Sequence, residues 1–352
     1  MKAVMTPFAR PLAAALVLGG VVIGTVPVGG LSGPALANDS SAELAAGGLV
    51  FVRNEAIEMR SEDLFVSTRL VRVKYRFFNR TEEDVVSLVA FPMPDITIDS
   101  PEYNVSFPTE DPVRLLDFTT EVNGAPVATR VEQRVTAHGL DRTALLKAMG
   151  LPLAPHLRST NMALDALPSD RWDELIRLGL AEVVEYDDTG TGMKRHLEAR
   201  WTLHTTFYWE QRFPAGAETL VEHRYVPSVG MSVGSMIGQP GAASDPYTKP
   251  TIDKYCVDKS FLAAAERAAK KAVDNGGYLA EQRVGYILTT GANWAGPIGD
   301  FRLVVDKGAP DNLVSFCAEG VTKIGPTLFE VRKTDYVPTE NLDVLILTRS
   351  LQ

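Results

Sequence analysis

Between Arg69 and Asn79 the apolar residues Val71, Val73, Tyr75 and Phe77 alternate with Arg72, Lys74 and Arg76. A period of two is that of a strand with one buried face. The polar run 79–84 predicts a turn, and 85–91 a returning strand that must stop at Pro92 and Pro94. Asn123-Gly124 sits between two further strand-like runs, 118–122 and 125–135, and both residues tolerate the positive φ of a tight hairpin. Downstream, Trp201, Leu203, Phe207 and Trp209 alternate with Thr202, His204, Thr206 and Tyr208. The run 220–226 is expected to answer them across Phe213-Pro214-Ala215-Gly216 as the second arm of a long hairpin. The almost unbroken apolar stretch Leu342 to Leu347 predicts a central strand.

Helical spacing appears in two places. Across about 138–183, Asp141 is expected to cap a short helix stopped by Gly150, and Trp172, Leu175, Ile176 and Leu180 form the stripe of a second helix after Ser169. Further on, Asp258 precedes Phe261, Leu262, Ala265, Ala268, Ala269, Ala272 and Val273 on one face, with Gly276-Gly277 as the stop. The segment 231–250 is rich in Gly, Ser and Pro and reads as a boundary. The pattern therefore predicts a mainly β, antiparallel sandwich-like chain. An N-terminal unit spans 38–230 with a helical insertion at about 138–183, and a helix-plus-strand unit spans 251–352.

The first 37 residues differ from the rest. Lys2 and Arg10 precede an apolar run from Leu12 to Val28, and Ala35 and Ala37 stand before Asn38. This is the layout of a secretory leader cut at Ala37, and Gly and Pro within the run argue against a retained anchor. Export and a periplasmic or secreted location are expected, with no stable membrane span after cleavage. Without the leader the chain carries 33 basic and 44 acidic residues, a balance that disfavours nucleic acid as a partner. The two cysteines, Cys256 and Cys317, are expected to pair in an oxidising compartment.

Candidate chemistry is sparse. Gly230-Met231-Ser232-Val233-Gly234 matches a nucleophile elbow, but all five histidines precede Ser232 and no helix follows it. No metal-ligand spacing occurs, and His204 and His223 are not expected to share an ion, so neither a metal nor another cofactor is predicted. Glu210 and Glu222 would face each other near the end of the expected hairpin, as the paired carboxylates of a glycan hydrolase would. Arg72, Lys74 and Arg76 form a basic stripe suited to an anionic envelope polymer. Tyr208, opposite the inward set Trp201, Phe207 and Trp209, would offer a stacking surface for a glycan. Trp294, in a glycine-bounded loop, is expected either to plug the C-terminal sheet or to line a groove.

Several blocks carry a family resemblance. Asn38-Asp39-Ser40-Ser41-Ala42-Glu43-Leu44, Ile57-Glu58-Met59-Arg60-Ser61-Glu62-Asp63-Leu64, Tyr75-Arg76-Phe77-Phe78-Asn79, Ala90-Phe91-Pro92-Met93-Pro94, His223-Arg224-Tyr225-Val226-Pro227-Ser228-Val229-Gly230, Tyr255-Cys256 and Asn293-Trp294-Ala295-Gly296-Pro297-Ile298 resemble the bacterial exported family designated domain of unknown function 4424. The resemblance implies a bacterial periplasmic protein and transfers no activity and no catalytic residue. The expectation is a non-catalytic binding protein of the cell envelope whose partner is a protein or a glycan. The alternative is an envelope glycan hydrolase.

Overall fold

A computed structural model describes residues 38–45, 48–98, 104–187, 190–232 and 234–351. The expected leader, 1–37, lies outside them. The chain opens with β1 (Ser40–Ala45), β2 (Gly48–Val52), β3 (Ile57–Val66), β4 (Val71–Asn79), β5 (Val85–Pro92), β6 (Ile96–Thr97) and β7 (Asn104–Ser106). There follow β8 (Thr119–Val122), β9 (Ala125–Val127), β10 (Arg130–Ala137) and β11 (Leu140–Asp141). Helices α1 (Thr143–Ala148), α2 (Arg158–Asp165) and α3 (Ser169–Arg177) form the expected insertion. After it come β12 (Ala181–Tyr186), β13 (Lys194–Ala199), β14 (Thr202–Phe213), β15 (Glu218–Tyr225) and β16 (Val229–Ser232). The last part holds α4 (Lys249–Lys254), α5 (Lys259–Asp274), β17 (Gly277–Tyr286), β18 (Ile298–Asp306), β19 (Leu313–Phe316), β20 (Thr322–Lys323), β21 (Leu328–Tyr336) and β22 (Leu342–Leu351).

Two sheets make the sandwich. The first runs β11-β10-β14-β5-β1-β2, with β6 also paired to β14; the second runs β20-β21-β18-β3-β4-β15-β8-β9. Ring contacts bridge the layers, Phe77 to Phe213 at 5.9 Å and Phe91 to His223 at 4.9 Å. A third sheet, β19-β22-β17-β16-β7, closes the core through Tyr286, whose hydroxyl lies 3.0 Å from that of Tyr75. Its other face packs Leu279, Leu345 and Leu347 against Ala265 and Ala269 of α5. β22 lies between β19 and β17, the central position its apolar run predicts, and is covered on both faces.

Strand alternation is realised closely in β4, where Val71, Val73, Tyr75 and Phe77 are buried and Lys74 and Arg76 exposed. Asn123 and Gly124 take φ of 50° and 79° and join β8 to β9 as expected. Asp258 caps α5 by accepting a hydrogen bond from the Phe261 amide at 2.7 Å. Asp141 does not cap α1; it ends β11 and accepts from the Thr143 amide at 2.8 Å, while Arg142 occupies the cap position. Cys256 and Cys317 are disulfide-bonded, tying the α4–α5 junction to the end of β19.

Two expectations about connectivity change. β14 and β15 are not hairpin partners: β14 pairs with β5 and β10 in one sheet, β15 with β4 and β8 in the other. Both strands bury an alternating aromatic or apolar face, and each meets the core from its own side only if the intervening turn crosses between layers. The strands on either side of 231–250, expected as separate units, share a sheet: β18 runs parallel to β3, with Leu303 opposite Leu64. The described residues belong to one compact unit.

Candidate functional site

Two polar regions stand out, one sealed and one open. The sealed one begins with a register shift in β3. Pairing with β4 passes from Met59 opposite Phe77 to Ser61 opposite Arg76, so Arg60 is bulged out. A bulge inverts which residues face inward. Ile57 and Met59 point in before it, and Glu62, Leu64 and Val66 after it. Gly299 on β18 permits the bulge, since a Cβ there would sit 2.6 Å from the Arg60 carbonyl oxygen.

Glu62 is therefore delivered into the core, where it is only 1% exposed. It meets the start of β1. The Asn38 amide nitrogen Nδ2 donates to Glu62 Oε2 at 2.9 Å, and the Tyr75 hydroxyl donates to Asn38 Oδ1. The Asn38 backbone N–H donates to Thr290 Oγ1, which donates in turn to the Asn38 carbonyl at 2.6 Å. Asp39 Oδ1 lies 3.0 Å from His223 Nε2, and His223 Nδ1 lies 3.0 Å from Thr120 Oγ1. The Trp294 indole N–H donates to the Asp39 carbonyl at 2.7 Å while its ring packs on Phe77 at 4.6 Å.

Burial pushes the Glu62 carboxyl up to about 8, against the pull of the Asn38 amide. Burial likewise raises Asp39 and outweighs the opposing effect of His223. Asp39 Oδ2 and Glu62 Oε1 are buried without a hydrogen-bond partner. An acid, an imidazole and a hydroxyl in line have the order of a proton relay. Here Phe91, Phe118 and Trp209 pack around the imidazole at 4.9 to 5.3 Å, and both His223 and Thr120 are buried. Sequence reading missed this cluster. Its one legible signal is that Glu62 shares the parity of the apolar Leu64 and Val66.

The open region is the outer face of the eight-stranded sheet. Across β3, β4, β15 and β8, Asp63, Lys74, Glu222 and Glu121 stand in one row. Lys74 Nζ is 3.0 Å from Glu222, and Arg224 is 2.6 Å from the same carboxylate. Arg76 and Arg60 converge on Glu218 at 2.8 and 3.0 Å. Burial opposes ionisation of Glu222, but hydrogen bonds from Lys74 and Arg224 outweigh it and hold the carboxyl low. Arg76, then Arg60, hold Glu218 low in the same way. A cleft of about 440 Å³ opens over this row, lined by Asp63, Lys74, Arg76, Glu121, Leu220 and Glu222. A second of about 440 Å³, lined by Glu58, Arg60, Asp300 and Asp335, shares Arg76 with it.

The predicted binding residues distribute unevenly over these regions. Lys74, Arg76 and Glu222 line the open cleft. They do not form a basic stripe, because β15 supplies a carboxylate beside each cation. Arg72 stands apart from them, half-buried, with its guanidinium over the Phe65 ring at 5.8 Å. Glu210 and Glu222 do not face each other: Glu210 lies opposite Leu88 in the other sheet, exposed on its outer side. Trp294 is completely buried, so it plugs the core and lines no groove. Tyr208 is half-buried and packs with Ala42, Leu49 and Ala90, in the other sheet from the open cleft. His204 binds Asp95 and Thr136, and His196 binds Asp165. Among the described residues no three His, Cys, Asp or Glu side chains group as metal ligands.

A β-sandwich closed by a third sheet, with a sealed polar centre and a charged outer face, is the class of structure these elements define. The chain belongs to the family described as Domain of unknown function (DUF4424), whose model matches residues 37–345. No curated protein matches it. Among solved structures it is similar to a putative nutrient binding protein from Legionella pneumophila, at 13% identity and a TM-score of 0.42, covering 89% of this chain and 71% of that one. It is also similar to an M1 zinc metallopeptidase from Deinococcus radiodurans, at 10% identity and a TM-score of 0.22, covering 84% of this chain and 43% of that one.

Proposed function

We propose that this is a non-catalytic binding protein of the bacterial envelope, exported and released from its leader before Asn38, whose ligand is a hydroxyl-rich glycan. The observation that carries the reading is the row Asp63, Lys74, Glu222 and Glu121 at the floor of the open cleft. One ammonium stands there among three carboxylates on rigid strands, with Arg76 beside them in the cleft wall, offering donors and acceptors side by side, which suits sugar hydroxyls better than a uniformly anionic polymer. Leu220, half-exposed beside Arg76, adds an apolar patch for a pyranose face. The neighbouring cleft sharing Arg76 gives room for more than one sugar unit. Of the two acid–imidazole–hydroxyl lines among the described residues, Asp39–His223–Thr120 is walled in by aromatic rings, which supports a structural role for it, and Asp95–His204–Thr136 is partly exposed.

Calorimetric titration of the mature chain with peptidoglycan and lipopolysaccharide oligosaccharides tests the reading. Lys74→Ala with Arg76→Ala should weaken binding at least about tenfold, as the loss of two or more hydrogen bonds does. The melting temperature should hold, because exposed ion pairs contribute roughly 0–1 kcal/mol. Absence of binding, or binding indifferent to the double substitution, would overturn the glycan assignment. Turnover that survives repurification would overturn the non-catalytic one.

A further inference from the structure

The start of β1 is anchored in a way that an ordinary edge strand does not need. Asn38 and Asp39 are wholly buried, and their partners come from far along the chain, Thr290 and Trp294 after β17 and His223 on β15. The cluster has an excess of negative groups. Asp39 has His223 beside it, but Glu62 receives only the neutral Asn38 amide, and Glu62 Oε1 and Asp39 Oδ2 accept no hydrogen bond. Buried carboxylate oxygens left without donors are costly, and a single cation placed among them would relieve both.

The backbone nitrogen of Asn38 belongs to the residue whose side chain already touches Glu62. It is also the nitrogen that cleavage after Ala37 would free. We infer that leader removal completes this site: the new α-ammonium of Asn38 is the missing cation, held by Thr290 Oγ1 and neutralising the Glu62–Asp39 pair. The inference rests on the export reading above. Chemically, a peptidase that recognises small residues before the bond adds water across Ala37–Asn38. The hydroxyl goes to the Ala37 carbonyl carbon and a hydrogen to the Asn38 nitrogen, which takes up a further proton at neutral pH. One N–H donor becomes three on the residue whose side-chain amide already meets Glu62, in a cluster where two buried carboxylate oxygens lack donors. Proteolysis thereby supplies a structural cation, and the mature fold is more stable than one that still carries residues ahead of Asn38.

The test exports the full chain from a bacterial host and reads the first residue of the product by intact mass. A second preparation retains Ala37, and both are melted at pH 7 with and without Glu62→Gln. The product starting at Asn38 should melt about 5–10 °C above the one retaining Ala37. Glu62→Gln should erase most of that gap. Labelling needs no variant and decides the matter even if Glu62→Gln fails to fold: an amine-reactive reagent at neutral pH should modify the Asn38 α-amine in urea but not in the native protein. Correct processing with equal melting temperatures and a native amine that labels freely would overturn the inference and leave the export reading intact. An unprocessed product would overturn the export reading, and with it this inference. Cleavage at another bond would overturn the inference alone.

Discussion

Asp39 Oδ1 and His223 Nε2 lie 3.0 Å apart in the middle of the protein, although 184 residues separate them in the chain and neither meets solvent. Removing one partner of such a pair leaves the other buried and unmatched, at a cost of about 3–5 kcal/mol. Asp39→Asn and His223→Phe should each lower the urea midpoint accordingly. The double substitution should cost less than the two single losses summed, because the unmatched charge is gone. A double cycle showing simple additivity would mean that the two groups are not coupled.

Glu62 sets a pH dependence of unusual sign. Its folded carboxyl titrates near 8, above the ordinary value of 4.5. In a chain with a peptide bond on the N side of Asn38, the folded state therefore holds a proton between those values that the unfolded state has lost. Stability should fall as pH rises from about 4.5 to about 8. Glu62→Gln should flatten this slope, as thermal melts across that window would reveal.

His156 works in the opposite direction. Its ring stacks on Phe107 at 3.6 Å, both ring nitrogens are buried without partners, and burial lowers its pKa to about 4. The unfolded state, with an ordinary imidazole near 6.5, binds the proton more readily. Stability carried by the neutral ring is complete above about 6.5 and declines as pH falls toward 4. His156→Phe should remove this acid-side decline, so that the opposing Glu62 slope shows undiminished below about 6.5 and is unchanged between about 6.5 and 8.

The disulfide spans 61 positions. On the chain-entropy account, closing a loop of that length stabilises by about 4 kcal/mol. Adding a reductant, or replacing Cys256 and Cys317 by Ala, should lower the melting temperature by several degrees. The packing of α5 against Leu345 and Leu347 should loosen first, detected as faster amide exchange in β22.

What the sequence made legible was local. Alternation along β4, the Asn123-Gly124 turn and the Asp258-capped helix each follow from neighbours a few residues apart, and the structure contains all three. The cysteine pairing was readable because only two were present. What escaped depended on distant partners. The periodicity of β14 and β15 shows that each has one buried face, yet it is silent on whether the two share a sheet. The positive residues of β4 read as a basic stripe because the carboxylates that neutralise them, Glu218 and Glu222, are supplied by a strand more than a hundred residues away. The inward turn of Glu62 is caused by a one-residue bulge and by a glycine on β18, a strand more than two hundred residues away.

The parallel seam between β3 and β18 also governs the order in which the chain can fold. Residues 57–66 find a neighbour on that side only when residues 298–306 arrive, and β22, which closes the third sheet, comes later still. Contacts of such long sequence separation make folding slow. A chain emerging from its N-terminus must keep β3 half-paired until almost its whole length is present. A truncation before β18 would then yield an exposed apolar strand edge prone to aggregation instead of a smaller working domain.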